Sequence, residues 1–388
     1  MGDAGAIVCG IYARAAMRVG FRRVVSGSDE SESPLFRVRT QGRFAPINAG
    51  KEKYMKKLTL GLMAVLVLCL GFGAAAFAKP EYDLKLQTYY STTNSDHVRN
   101  FAKEVNEKSK GRIKITVYSG GELVSTPNVI KAVRGGMIDM GVTSGGQFTE
   151  LTMGNIEGGL PMAWLSTAEA DQLFDKDGLL ELVAADYAKH GVKYLNTLWN
   201  AQYTILSKRP INSLDDLRKM KIRAISGSAK MLQSLGVSTV NMPPEDVYLG
   251  LSTGQIDGTL YGAPFEYEIN KFYEVAPYIL MTPILNPITD GVFIRQDLWD
   301  GMDKECRDAL LAAAHNLRYA YYNFGLEKDK VALATIFKGK QTTLPVEDIA
   351  TMTKAAVAVW DEEAKVSPNT AKAVELIKEN ARRMGRIQ

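Results

Sequence analysis

The stretch LKLQTYYSTTNSDHVRNFAKEVNEKSKGRIKITVYSGG, residues 84–121, decides the fold. Leu84, Leu86 and Thr88 alternate with polar neighbours, the period of a half-buried strand, which runs out at Tyr89-Tyr90-Ser91. Asn94 or Ser95 is then placed to cap a helix on which Val98, Phe101, Ala102 and Val105 share one face. Gly111 stops that helix, and Ile113, Ile115 and Val117 alternate again as a second strand before the Gly120-Gly121 turn. Pro127 opens a further helix, Gly135-Gly136 closes it, and Ile138–Val142 is a short apolar third strand. A β-α-β-α-β run predicts an α/β protein with a doubly wound sheet, not a sandwich or a bundle.

Working outward, a like unit recurs. Val129-x-x-Ala132-Val133-x-x-Gly136-x-Ile138-Asp139 is matched by Val247-x-x-Gly250-Leu251-x-x-Gly254-x-Ile256-Asp257. Both read as helix, glycine stop and the start of a buried strand, which fits two lobes built alike. Between them, 192–200, 203–206 and 221–225 read as strands, Ser213-Leu214-Asp215-Asp216 as a helix start, and Ser226-Gly227-Ser228 as the entry to a helix bearing Met231, Leu232 and Leu235. From Asp303 to about Lys338 the helical pattern holds without a proline, and Pro345 and Glu347 begin another that reaches about Ala364. Long C-terminal helices crossing from lobe to lobe would account for both.

The N-terminus reads as export machinery. Lys56 and Lys57 precede an apolar core, Leu58–Phe72, and Ala76-Phe77-Ala78 offers an A-x-A cleavage site. That core of 15 residues falls short of the roughly 20 that span a bilayer. Residues 55–78 are therefore expected to be a signal peptide and 1–54 an extension upstream of the true start. The codons of Gly50-Lys51-Glu52 can spell a ribosome-binding purine run just before Met55. The full chain of 388 residues carries 47 Lys and Arg against 43 Asp and Glu. Residues 1–78 hold 11 of the basic and 5 of the acidic side chains, so the remaining 310 residues carry 36 against 38. The apparent basicity vanishes, and with it the electrostatic case for nucleic acid. Cys306 is the one cysteine after residue 78, which excludes an intrachain disulfide and a cysteine-based metal site there. No G-x-S-x-G, H-E-x-x-H, P-loop or C-x-x-C is present, and His97, His190 and His315 stand scattered in polar helical contexts, read as solvated surface.

Arg223 is the most informative residue. In Met220-Lys221-Ile222-Arg223-Ala224 the even positions point to one face and Arg223 to the other, near the C-terminal end of a strand, where open α/β sheets bind ligands. A guanidinium there can hold a carboxylate through two parallel charge-assisted hydrogen bonds, or it can serve a structural ion pair. The Ser226-Gly227-Ser228 loop could present backbone N–H groups to an anion. Tyr89, Tyr90, Trp199, Tyr203, Tyr261 and Phe265 gather at predicted strand ends, suggesting a cleft that closes over a partly apolar solute.

Many ordered blocks along the chain add to this reading: Phe101-Ala102-x-Glu104-Val105, Gly121-Glu122-Leu123, Gly135-Gly136-x-Ile138-Asp139-Met140, Leu160-Pro161, Ser207-Lys208-Arg209-Pro210-Ile211, Lys221-Ile222-Arg223, Pro243-x-Glu245-x-Val247-Tyr248, Gly254-x-Ile256-Asp257-Gly258 and Phe272-Tyr273-Glu274-Val275. In these the chain resembles the DctP-type solute receptors of tripartite ATP-independent periplasmic (TRAP) transporters. The resemblance implies a two-lobed periplasmic-binding-protein-like fold, with lobe one at 80–200 plus 289–325 and lobe two at 203–286 plus 326–388. It implies a carboxylate clamped by Arg223, with Tyr89, Ser144, Tyr203 and Asn286 at other cleft positions. It also implies membrane transporter subunits as partners, a periplasmic location, a monomer or weak homodimer, no cofactor and no chemistry on the ligand. Tyr203 stands where sialic-acid-binding members carry a second arginine, and 261–264 lacks the usual asparagine before Pro264. Those departures favour a monocarboxylate with an apolar or aromatic body, such as an aryl or keto acid. A periplasmic α/β enzyme and a sensory receptor for a small carboxylate are the competing readings.

Overall fold

The computed structural model of the protein describes residues 80–388, so the expected signal peptide and the extension before it lie outside the described residues. The strands are β1 (Tyr82–Thr88), β2 (Ile113–Tyr118), β3 (Met140–Thr143), β4 (Val192–Trp199), β5 (Tyr203–Ser207), β6 (Lys221–Arg223), β7 (Ser238–Val240), β8 (Gly258–Leu260), β9 (Tyr278–Leu285), β10 (Thr289–Arg295) and β11 (Gln341–Thr342). They form two sheets, ordered β2-β1-β3-β10-β4 and β11-β9-β5-β8-β6-β7. In the first, β1 lies parallel to β2 and β3, and β10 runs antiparallel between β3 and β4. In the second, β6 is parallel to both β7 and β8, and β5 is antiparallel to β8 and β9. The α/β class is the one that the opening stretch predicts, and the division into two mixed sheets fits the two lobes suggested by the recurring unit.

Among the helices are α1 (Asp96–Lys108), α2 (Val129–Arg134), α3 (Leu179–Lys189), α4 (Ser226–Ser234), α5 (Pro264–Ile269), α6 (Lys304–Ala334), α7 (Val346–Glu363) and α8 (Pro368–Arg383). Helix α1 forms because Val98, Phe101, Ala102 and Val105 make one buried stripe, while Asp96 in its first turn and Lys108 in its last oppose the helix dipole. That stripe packs with Leu84, Leu86 and Ile113 of the first sheet and with Leu310, Ala313 and Leu317 of α6. Each valine, leucine, isoleucine and phenylalanine among them gains about 1.5–3 kcal/mol on burial. Two sequence expectations are shortened by backbone geometry. The helix after Pro127 starts as a 3-10 turn at Thr126–Asn128 before α2. Strand β6 ends at Arg223 because Ala224 and Ile225 turn towards α4, whose first residue, Ser226, has a left-handed φ of 54°.

The chain passes between the sheets three times. Strand β4 leads into β5 through Asn200–Gln202, and β9 leads into β10 through Asn286–Ile288. These passages run side by side: the Asn200 N–H donates to the Ile288 carbonyl at 2.9 Å and the Ile288 N–H to that of Ala201 at 3.1 Å. Hydrogen bonding thus continues from one sheet to the other. Helix α6 is the third passage. The Asp303 carboxylate caps it by accepting from the Cys306 N–H at 2.9 Å, and its 31 residues span about 46 Å. It begins against α1 and β4, passes α5, and delivers Ala332 and then Phe337 into a core with Leu206, Ile256 and Ile279 of the second sheet. Helix α7 lies on α4, and its Trp360 indole donates to the Pro161 carbonyl at 2.9 Å. Helix α8 turns back onto α3 and the segment before it, with Asn380 donating to Glu169 at 2.9 Å and Arg383 paired with Asp177 at 2.8 Å. Residues 326–388 therefore divide their contacts between the surroundings of both sheets. Among the described residues no helix is long and apolar enough to cross a membrane.

Candidate ligand-binding site

Arg223 ends β6, flanked by Val240 of β7 and Thr259 of β8. It is one of the largest fully enclosed side chains, 1% exposed. Its Nε donates to the Met242 carbonyl at 3.0 Å and its Nη1 to the Leu260 carbonyl at 3.1 Å. Those two bonds fix the guanidinium plane. The remaining nitrogen, Nη2, is buried and has no partner. Among the described residues no carboxylate forms an ion pair with Arg223, so the structural ion-pair alternative finds no partner there. Burial lowers its pKa from the ordinary value, opposed by the hydroxyls of Tyr203, Tyr261, Tyr267 and Tyr89 around it. The Tyr261 ring sits 5.9 Å from the guanidinium carbon. Burial in turn pushes the Tyr203 and Tyr261 hydroxyls up, so both stay protonated and able to donate.

A second buried charge, in the first sheet, shares tyrosine neighbours with this group. Asp290, near the start of β10, accepts from the Tyr89 hydroxyl at 2.9 Å and the Tyr90 hydroxyl at 2.5 Å, both on Oδ2. Its Oδ1 is buried without a partner. Burial raises its carboxyl to about 6 against the pull of the two tyrosines. Behind it lies a closed polar chain. Asn200 donates to the Tyr90 hydroxyl at 3.3 Å, and the Glu266 carboxylate accepts from Tyr321 at 2.8 Å and from the Ala263 N–H at 2.9 Å. Burial raises Glu266 to about 7.

The loops after β3 and β6 meet across the sheets. The Ser226 hydroxyl donates to the Gly146 carbonyl at 2.9 Å, and a Cβ at Gly146 would collide with that hydroxyl. Between the segments after β2 and β7, the Thr126 hydroxyl donates to Glu245 at 3.1 Å.

The structure therefore gathers Arg223, Tyr89, Tyr203 and Tyr261, with Tyr90 reaching the group through Asp290. Ser144, 5% exposed, follows β3 beside Gly158 and near the Gly146–Ser226 contact. Asn286 lies at the second passage between the sheets, its N–H donating to the Trp164 carbonyl at 3.3 Å. Trp199 is core: it meets Phe174 at 5.2 Å between ring centroids, stacks on Arg318 at 4.9 Å and donates to Asp171 at 3.0 Å. Phe265 packs on Tyr321 and Phe324. His97 is half-buried, not the solvated surface residue that its polar neighbours suggested. Its ring stacks on Tyr321 at 3.9 Å and meets Tyr90 edge-on at 4.5 Å, with Nε2 enclosed, and burial lowers it to about 3. Asp290 and Glu266 are the functional candidates that sequence reasoning missed. Glu266 carries one signal, a carboxylate between Phe265 and Tyr267, whereas Asp290 sits in the turn-like Thr289-Asp290-Gly291. Among the described residues no cluster of His, Cys, Asp and Glu is arranged to hold a metal ion.

Comparison with known proteins bears on the family and the fold. The profile of DctP, described as bacterial extracellular solute-binding protein, family 7, matches residues 88–366. The 2,3-diketo-L-gulonate-binding periplasmic protein of Escherichia coli is 28% identical over 258 residues, covering 62% of this chain and 75% of its own length. The monocarboxylate 2-oxoacid-binding periplasmic protein of Nostoc sp. is 24% identical over 275 residues, 68% of this chain and 73% of its own. Among solved structures, a TRAP periplasmic solute binding protein from Chromohalobacter salexigens has the same fold, with a TM-score of 0.74 at 24% identity, covering 79% of this chain and 98% of that one.

Proposed function

The chain belongs to the DctP family of bacterial extracellular solute-binding proteins, the receptors of TRAP transporters, and from that premise we propose that it binds a monocarboxylate with an apolar or aromatic body and delivers it to membrane subunits. The observation that carries this reading is Arg223: a buried guanidinium, held by two backbone carbonyls, whose third nitrogen has no partner. A ligand carboxylate would supply the missing acceptor and the missing negative charge at once. Tyr203, Tyr261 and Tyr89 would enclose the body of the acid, their hydroxyls orienting its oxygens. Lobe one (80–200 plus 289–325) and lobe two (203–286 plus 326–388) would close over it by bending at the paired passages, and the Ser226–Gly146 and Thr126–Glu245 bonds would hold the closed form. The receptor works as a monomer or weak homodimer in the periplasm after its signal peptide is removed, and returns its ligand unchanged.

A thermal-shift screen against organic acids tests the proposal. A ligand at a thousandfold excess over its Kd stabilises the folded state by about 4 kcal/mol. At least one monocarboxylate should raise the melting temperature of the native protein and fail to do so for Arg223→Ala. If neutral sugars or peptides shift the protein and acids do not, the clamp assignment is wrong. Product released from a bound acid would instead favour an enzyme.

A further inference from the structure

Arg223 accounts for one end of a ligand, and Asp290 sets a requirement at the other. This argument rests on the receptor reading above. Both groups are charged, buried and without an opposite charge of their own: Arg223 keeps a free Nη2, Asp290 a free Oδ1. Among the described residues no Lys, Arg or His lies within ion-pair distance of Asp290. The acids nearest to it in the core, Glu157 and Glu266, have partners of their own in Tyr194 and Tyr321. Two tyrosines lie near both groups. Tyr89 donates its hydroxyl to Asp290 and is also among the tyrosines whose field acts on Arg223, while Tyr203 feels the charges of both.

The bonds around Asp290 are lopsided. Tyr89 and Tyr90 both donate to Oδ2 and nothing donates to Oδ1. An enclosed carboxylate oxygen without a donor is costly, and an apolar ligand body laid against it would make that cost permanent. A ketone or ether oxygen would be worse, since it sets two acceptors face to face. An ammonium or hydroxyl would satisfy it. We propose that the acid taken by this receptor carries a proton-donating substituent, an ammonium or a hydroxyl, which donates to Asp290 Oδ1 while its carboxylate meets Arg223. The cleft therefore selects amino or hydroxy acids over oxo acids and unsubstituted acids of the same skeleton.

The experiment is isothermal titration of the purified protein with matched sets of acids. Each set keeps one carbon skeleton, aliphatic or phenyl-bearing, and varies the substituent as amino, hydroxy, oxo or none, at each carbon in turn. Within the best-binding set the donor-bearing acid should bind roughly ten- to a hundredfold more tightly than its oxo and unsubstituted counterparts. The amino and hydroxy members tell which donor the site takes. In Asp290→Asn, an amide N–H can replace the free oxygen, so the preference should vanish or turn towards the oxo acid. Should that variant fail to fold, the ratios measured on the native protein decide alone. Oxo or unsubstituted acids that bind as tightly as donor-bearing ones, and still need Arg223, would overturn this inference and leave the receptor reading standing. Failure of every carboxylate to bind would remove the receptor reading, and this one with it.

Discussion

The contact between Ser226 and Gly146 permits a test of closure that touches no ligand atom. The serine hydroxyl belongs to the first residue of α4, just after β6, and the carbonyl to the loop after β3, so the 2.9 Å bond exists only while the two sheets are held together at that edge. A neutral hydrogen bond contributes about 0.5–1.5 kcal/mol. Ser226→Ala should therefore weaken ligand binding by about two- to thirteenfold. The exposed Glu245 adds about 0.5 kcal/mol through its bond to Thr126, so Ser226→Ala with Glu245→Ala should lose about five- to thirtyfold. The loss should lie in dissociation, because the open form that first meets the ligand has neither bond. Ser226 also holds a left-handed φ of 54°, which costs a non-glycine residue about 1 kcal/mol. Ser226→Gly removes both the bond and that strain. It should match the alanine variant in dissociation rate yet melt about 2 °C higher without ligand. Stopped-flow tryptophan fluorescence gives the rates and calorimetry the melting points. Unchanged dissociation with slower association would show that this contact does not hold a closed state.

Three further outcomes follow from the same geometry. Arg318→Met keeps the stem over Trp199 but deletes the pair with Asp175 and the bonds to the Thr197 carbonyl and Asn196; with Asp175 partly exposed, the loss should be about 2–4 kcal/mol, read as a drop of roughly 4–8 °C by calorimetry. His97 titrates near 3 when folded and near its ordinary 6.5 when unfolded, so the unfolded chain binds the extra proton and stability falls as pH drops from about 6.5 towards 3; His97→Phe should flatten that slope in urea titrations at pH 7.5 and 4.5, and equal slopes in both proteins would refute the burial. Asp290 has the opposite sign: its folded value, about 6, lies above its unfolded one, so its contribution is whole below pH 4 and fades as pH rises through 6, and Asp290→Asn should gain most over the native protein at pH 8 in the same titrations.

The sequence shows what depends on neighbours along the chain. Leu84–Thr88 and Ile113–Val117 alternate because each strand has one face on a helix, and Val98–Val105 recurs at helical spacing for the same reason. Arg223 stands out because its strand is short and its even positions are apolar. What the sequence hides depends on distant partners. Thr289-Asp290-Gly291 has the composition of a turn, yet it opens a central strand, because β3 and β4 supply a ladder on either side. Tyr89 and Asp290 are 201 positions apart, so no local pattern couples them. His97 misled because Asp96, Arg99 and Asn100 around it are polar, while the surface that buries it, Tyr321 of α6, arrives more than two hundred residues later. Trp199 reads as a cleft residue by its place at a strand end, but its indole finds Asp171 and Arg318 instead.

Strand β10 has one more consequence, in the order of synthesis. It lies between β3 and β4 and is the one strand that joins them, yet every strand from β5 to β9 is made before it. As the chain emerges from the ribosome, β1, β2 and β3 can pair, but β4 must wait until Thr289–Arg295 appears before the first sheet can be knitted together. Folding cannot proceed from the N-terminus forward as it does for domains made of one continuous stretch. The first half of the molecule stays incomplete until about three quarters of the chain exists. For any chain that has to stay unfolded during export, a strand order of this kind supplies the delay from topology alone.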